Sequence, residues 1–294
     1  ATFDRFWNHA LSVPMDAFRT RDEDLDLDSA RAALAEELHE AMESIYARAL
    51  DSALVQQLLE DRVTFFPATA EVITDDPNKL LNRISAEHQT LVTRMAEVVA
   101  NAASEVIVVA PYFIPGEAGV EFWRNLTDRG VRVVVVTNSL ASNNHIPVHA
   151  AYARYRHAII RAGVELYEMR VDATNATDGK EKAEIESTTL HTKAILTDHH
   201  RTFIGSLNLD PRSIDINTEM GVLVNSPEMS GRLARRVLAV LPELAYRVVE
   251  DGNGRLRWHG LIDGREVVEN SEPQAGGWRR FKAFVSRILP ENQL

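Results

Sequence analysis

The sequence predicts an α/β fold: a mixed, mainly parallel sheet covered by helices on both faces, behind a helical connector and ahead of a β-rich tail. Three observations carry that expectation. Short, wholly apolar runs such as Val106-Ile107-Val108-Val109 and Val131–Val136 alternate with helix-length segments, as strands buried on both faces do. The 294 residues are 45% hydrophobic, enough for a substantial core. There is no cysteine, so neither a disulfide framework nor a thiolate-ligated metal substitutes for packing.

Taken in order, Ser29 to about Arg62 reads as helix, with Leu34, Leu38, Met42, Ile45 and Ala49 recurring every three or four positions and Ser29 as N-cap. This connector is acidic, since residues 1–62 hold 14 Asp or Glu against 6 Arg. The period then changes. Val63–Phe66 and Glu71–Thr74 read as extended, and the turn signal Asp75-Asp76-Pro77-Asn78 ends them. Leu80 to Ala103 reads as one amphipathic helix through Ile84, His88, Leu91, Met95 and Val98. Strands are expected over 106–109, 131–136, 164–168, 194–197, 202–205 and 221–224, and helices over 117–129 and 149–162. Ser226-Pro227 opens a helix to Leu241, proline being tolerated at the first helical position. Asp251-Gly252-Asn253-Gly254 and Asp263-Gly264 punctuate a small meander before a last helix, Trp278 to Leu289. The chain thus divides into three domains: a connector, 1–62; an α/β domain, 63–250; and a hairpin-and-helix tail, 251–294.

The formal net charge of −11, with no basic stripe interleaved with aromatics, speaks against a nucleic-acid partner. No apolar run approaches the ~18 residues of a spanning helix. The chain starts without methionine and enters Phe3, Phe6 and Trp7 at once, which reads as the middle of a longer protein.

The chemistry concentrates in His191-Thr192-Lys193, Asp198, Gly205-Ser206-Leu207-Asn208, Arg212-Ser213, Asn217 and Glu219. In extended chain, positions two apart share a face, so His191 pairs with Lys193 and Ser206 with Asn208. Two neighbouring strands then aim an imidazole, an ammonium, a hydroxyl and an amide at one spot. That set suits a phosphate: Lys193, Ser206 and Asn208 donate to phosphoryl oxygens while His191 attacks phosphorus or protonates a departing oxygen. Asp198 has the opposite parity, lies at the turn before Arg201 and reads as structural, as does Gly205. Asn138, at the carboxyl end of an apolar strand, stands where α/β sheets bind ligands. His145 and His149, with Asp198-His199-His200, raise a metal site; Pro147 between the first pair and the adjacency of the second argue against it, leaving His149 as a substrate contact.

Every position of H-x-K-x4-D and of the G-S-x-N that follows it after six intervening residues resembles the phospholipase D superfamily. Pro111–Pro115, Thr137–Leu140, Val148–Arg156 and Ala162–Glu168 look like bacterial cardiolipin synthases of the non-spanning type. The resemblance implies a phospholipase D fold and phosphatidyl transfer between phospholipids through a phosphohistidine, without cofactor or metal. It implies that Glu219 hydrogen-bonds the catalytic histidine and that Tyr112 lines the lipid site. It also implies phospholipid substrates, an anionic membrane surface, and a peripheral place on the cytoplasmic face of the membrane. Phe3–Asn8 resembles the segment following the first of two such motifs, and His191-Thr192-Lys193 is the one H-x-K present. In-line displacement needs a nucleophile and a proton donor on opposite sides of phosphorus. A second motif is therefore expected from a missing N-terminal half or from a homodimer partner. The alternatives are a phospholipase D or nuclease-type hydrolase acting as a homodimer, and an inactive lipid-binding half. Residues 278–289 carry Arg279, Arg280, Lys282 and Arg287 and no acid; that helix either docks on the domain or meets anionic lipid.

Overall fold

The computed structural model describes residues 2–18, 26–42, 53–60, 62–81, 91–172 and 190–291. They belong to two compact units, Ala1–Pro67 and Ala68–Leu294. The first holds α1 (Thr2–Trp7), a 3-10 turn (Met15–Phe18), α2 (Leu27–Met42) and α3 (Ala53–Leu59). Asp26 rather than Ser29 opens α2: its carboxylate accepts from the N–H groups of Asp28 and Ser29, at 3.1 and 3.3 Å, and from the Ser29 hydroxyl. Residues 43–52 of the expected connector helix lie outside the described residues.

The second unit is built on one ten-stranded sheet in the order β1-β7-β6-β5-β2-β3-β4-β8-β9-β10. The strands are β1 (Thr69–Thr74), β2 (Glu105–Val109), β3 (Arg132–Asn138), β4 (Glu165–Met169), β5 (Ala194–Thr197), β6 (Arg201–Gly205), β7 (Met220–Asn225), β8 (Ala245–Glu250), β9 (Leu256–Ile262) and β10 (Arg265–Glu269). The sheet is mixed, but the expectation of a mainly parallel one is corrected. Only β2–β3 and β3–β4 run parallel; the other pairings are antiparallel. The physical reason is the connections. Helix α5 (Gly116–Asp128) crosses over between β2 and β3, and α6 (Ile146–Ala153) with α7 (Arg156–Arg161) between β3 and β4, whereas β5–β6 and β8–β9–β10 are joined by turns too short for a crossover.

Alternation along the central strands builds two cores. Val106, Val108, Val133 and Val135 face one side with Met95, Trp123, Leu126 and Ile159, from α4 (Leu91–Ala100), α5 and α7. Ile107, Val134, Val136 and Leu196 face the other, against Ala234 and Leu241 of α9 (Pro227–Leu244). The short α8 (Pro211–Asp215) links β6 to β7.

Several local expectations change. Residues 63–66 form no strand, because β1 pairs with β7 only from Thr69, opposite Asn225, and β7 ends there as Pro227 opens α9. Of the helix expected from Leu80, α4 is described from Leu91, while Ile84 and His88 lie outside the described residues. The helix expected over 149–162 breaks at Arg154-Tyr155. Helix α9 continues through Pro242 to Leu244. Strands β9 and β10 extend the same sheet beyond residue 250.

Candidate active site

The site lies where β5, β6, β7 and β1 end together. The β5–β6 turn is held by Asp198, which takes the left-handed conformation at φ 52° that aspartate tolerates better than most residues. Its carboxylate accepts from the backbone N–H groups of Ala103, Ser104 and Glu105 and from the Ser104 hydroxyl, at 2.7–3.1 Å. Burial pushes this carboxyl up, but those donors together hold it below its ordinary value. Asp198 thus ties the turn to the start of β2.

Past the turn, Gly205 and Gly221 face each other across β6 and β7 under the ring of Phe203. A Cβ on Gly205 would stand 2.4 Å from the Met220 carbonyl and 2.8 Å from that ring, which is why the pattern needs glycine here. The chain then bends, and Ser206 donates its hydroxyl to Glu219 while accepting from the Met220 N–H at 3.0 Å. The other Glu219 oxygen takes the Ser213 hydroxyl at 2.8 Å. Both oxygens are thereby engaged, and among the described residues no hydrogen bond joins Glu219 to the His191 ring. The Ser206 hydroxyl is likewise committed to a carboxylate, so donation to a phosphate requires exchanging that bond.

Beneath Glu219 lies an ion pair that motif reasoning missed. The Lys79 ammonium donates to Asp75 at 2.7 Å and to the Ser213 carbonyl at 2.9 Å, with both side chains almost fully buried. Asp75 also accepts from the N–H groups of Glu219 and Leu91, at 2.9 and 2.8 Å. The sequence signal is the placing of Asp75 and Lys79 four apart, but that stretch reads equally well as a plain turn.

Lys193 turns its ammonium back onto the His191 carbonyl, at 2.9 Å. Burial lowers its pKa, while the negative charges of Glu219 and Asp210 act in the opposite direction. Asp210, which caps α8 through the Ser213 N–H at 2.8 Å, is pushed up by burial and by Glu219 against two backbone donors. The His191 imidazole is exposed and has no hydrogen-bond partner among the described residues.

Asn208 opens onto a cleft of about 340 Å3 whose lining includes Tyr112, His145, Asp210, Arg212 and Asn217, but neither His191 nor Lys193. The amide oxygen of Asn208 is buried there without a partner. Tyr112 borders the cleft, donates to Asn144 at 2.7 Å and meets the His145 ring edge-on. Asn138 is not a cleft residue. It is fully buried and clamps the backbone of Leu190 at both N–H and C=O, each at 3.0 Å, immediately before His191. Its amide thus positions the segment carrying the imidazole. His149 is also displaced from its expected role: it is buried with Nε2 2.9 Å from Arg156, whereas His145 faces the cleft, so the two histidines do not share a site.

Residues 95–240 match the family described as "Cardiolipin synthase, PLD-like domain". The chain is 29% identical over 255 residues to cardiolipin synthase C of Escherichia coli, covering 86% of this chain and 54% of the relative. It is 27% identical over 301 residues to an uncharacterized protein of Helicobacter pylori, covering 100% and 57%. The chain therefore spans about half the length of these curated relatives. Among solved structures it is similar to the phospholipase D family member Nuc from Salmonella typhimurium, with a TM-score of 0.44 at 15% identity over 62% of this chain and 99% of that one.

Proposed function

Because this chain is a phospholipase D superfamily protein of the cardiolipin synthase-like type, we propose that it supplies one of the two catalytic motifs of a phosphatidyltransferase that makes cardiolipin from phospholipid donors. The observation that carries the reading is the convergence of strand ends. It brings an exposed imidazole and a half-buried ammonium to the same end of the sheet as two carboxylates and an unpartnered amide that opens onto a cleft. An amide rotated by 180° presents its NH2 to a phosphoryl oxygen, and Lys193 with Arg212 supplies positive charge for it.

The chemistry is a double displacement. An imidazole nitrogen of the other motif attacks the donor phosphorus and the bond to the departing headgroup oxygen breaks, that oxygen taking the proton held by His191. The acceptor hydroxyl then loses its proton to His191 and attacks phosphorus, and the phosphorus–nitrogen bond breaks. No helix among the described residues is long and apolar enough to cross a membrane. The proposed encounter with lipid is peripheral, at the cytoplasmic face.

The test is complementation. This chain is expected to be inactive alone on phosphatidylglycerol and to gain transfer when the half bearing the other motif is added. Specific activity of the isolated chain that rises with its own concentration would instead assign the second motif to a homodimer partner. Inactivity under both conditions would overturn the transferase reading.

A further inference from the structure

The last helix, α10 (Gly277–Ser286), is held to the domain by its small and charged side chains, while its large apolar ones face solvent. Ala283 is buried in a small cluster with Leu140, Ala141 and Ala275. Arg279 donates to the carbonyls of Leu140 and Asn143, and Arg280 to that of Glu272. Trp278, Phe281, Phe284 and Val285, then Ile288 and Leu289, stay exposed; Phe284 is 67% and Ile288 85% accessible. Six large apolar groups on so short a stretch forfeit the main driving force of folding, and a contiguous face of this kind marks a contact surface.

The same helix ends at a cleft of about 960 Å3 whose lining includes Arg154, Arg156, His157, Arg255, Arg257 and Arg287, with Glu272 the acidic residue among them. Arg154 pairs with Glu291, Arg156 with Glu272, and Arg257 with Asp251, at 2.6–2.8 Å. His157 lies 3.1 Å from Glu250. The guanidinium groups of Arg255 and Arg287 make no hydrogen bond or ion pair among the described residues.

We propose that the exposed face of α10 and this arginine cleft form one surface that docks on a bilayer containing anionic phospholipid. The apolar side chains enter the acyl boundary, and Arg255 and Arg287 meet lipid phosphates. Charge selects this occupant. Residues 277–289 carry four cations and no acid in a chain of net charge −11, the pattern of an interfacial helix on an anionic surface. A second copy seated on the same face across a two-fold axis would set those cations against their own counterparts. The surface is also tied to the candidate active site. Helix α10 packs on α6, whose Pro147 and Val148 line the catalytic cleft, and Arg279 grips the carbonyls of Leu140 and Asn143, just before Asn144 and His145. The inference rests on the phospholipid reading of that cleft and adds the surface by which the cleft reaches its substrate.

Sedimentation with vesicles of phosphatidylcholine alone, and of equal parts phosphatidylcholine and phosphatidylglycerol, tests it without turnover. The full chain is expected to bind the mixed vesicles and to bind the neutral ones far less. Phe281→Glu with Phe284→Glu is expected to weaken binding about tenfold or more, with an unchanged thermal midpoint because both positions are exposed. Arg255→Ala and Arg287→Ala are each expected to weaken it about fivefold, most visibly at low salt. His191→Asn should bind like the parent, so a failed transferase assay and a failed docking assay remain distinct. Absence of binding to the mixed vesicles, or equal binding by the double Phe variant, overturns the proposal. So does self-association that the double Phe variant abolishes while vesicle binding persists. Saturable binding of inorganic pyrophosphate to the arginine cleft, with vesicle binding indifferent to Phe281 and Phe284, would assign a soluble phosphate ligand instead and equally overturn it.

Discussion

Two buried clusters in the sheet-bearing unit pair a cation with carboxylates to different ends. Around Arg156, Glu168 is fully buried and takes three donors, Tyr152 Oη and Arg156 Nε at 2.7 Å and Trp258 Nε1 at 2.9 Å. Arg156 completes its fork on Glu272 and lies 5.0 and 5.3 Å from the ring centres of Tyr152 and Trp258. Around Glu219 the deep layer is equally complete, with Lys79, Asp75, Ser206 and Ser213 all engaged. Above it the accounting stops, since the His191 ring is exposed and the Asn208 oxygen has no partner. The Arg156 cluster also keeps one buried atom without a partner, His149 Nδ1, but its charges are matched among themselves and hold elements together, whereas an exposed imidazole and an open amide at a cleft are prepared for a ligand.

The sharpest test of that contrast is His191→Asn in the protein with both motifs present. Loss of the acid and base should lower transfer about a thousandfold or more. The urea midpoint should not move, because the ring is exposed and holds nothing. Transfer near the parent rate would remove His191 from the chemistry. Arg156→Met should do the reverse. It leaves Glu168 and Glu272 buried or half-buried without their cation, a loss of about 3–5 kcal/mol of stability, while turnover per folded molecule stays close to the parent value. Urea unfolding and active-site titration together read both quantities. A cost below about 1 kcal/mol would mean the cluster relaxes or takes in water.

Lys193→Ala probes the boundary between the two behaviours. A developing phosphoryl charge without its ammonium loses on the order of 3 kcal/mol of transition-state stabilisation, a rate loss of about a hundredfold. Burial lowers the pKa of this ammonium, so direct titration of its Nζ by nitrogen-15 NMR should give a midpoint below the ordinary 10.5. A midpoint at or above that value would show that Lys193 is solvated.

How much of the fold a sequence discloses depends on range. Buried strands announce themselves through local apolar runs, as at Val106–Val109, and the turn at Asp198 through its polar cluster. Strand direction depends on how distant segments return, and nothing in Ala194–Thr197 says that it lies antiparallel to β2. The same limit applies to side chains. The spacing of His191 and Lys193 is local and legible, but Asp75 supports Glu219 across 144 residues. Asn138 stands at a strand end, as its neighbours imply, yet its amide serves the Leu190 backbone, a use that only the packed chain reveals. The apolar stripe of α10 is visible in its periodicity, whereas which of its sides is covered depends on Arg279 finding two loop carbonyls.

The smallest expected effect belongs to the Arg156 cluster and appears only in acid. Burial raises the Glu272 carboxyl, but the charge and hydrogen bonds of Arg156 outweigh it and hold the group well below its ordinary 4.5. A carboxyl depressed in the folded state contributes its stability above the unfolded value and loses it as pH falls through that value toward the folded one. Below about pH 4.5 the unfolded chain binds a proton at Glu272 that the folded chain refuses, so stability should fall by up to about 1.4 kcal/mol per pH unit from this group alone. Other depressed carboxyls, Asp198, Glu165 and Asp172 among them, act in the same direction. Comparison with Glu272→Gln cancels them, because both proteins keep them. The variant should start less stable at neutral pH, having given up its bond to Arg156, and then lose less with acid, so that the two curves of unfolding free energy converge between about pH 5 and pH 3. Parallel curves would show that Glu272 titrates alike in both states, and the cluster around Arg156 would then be open to solvent on that side.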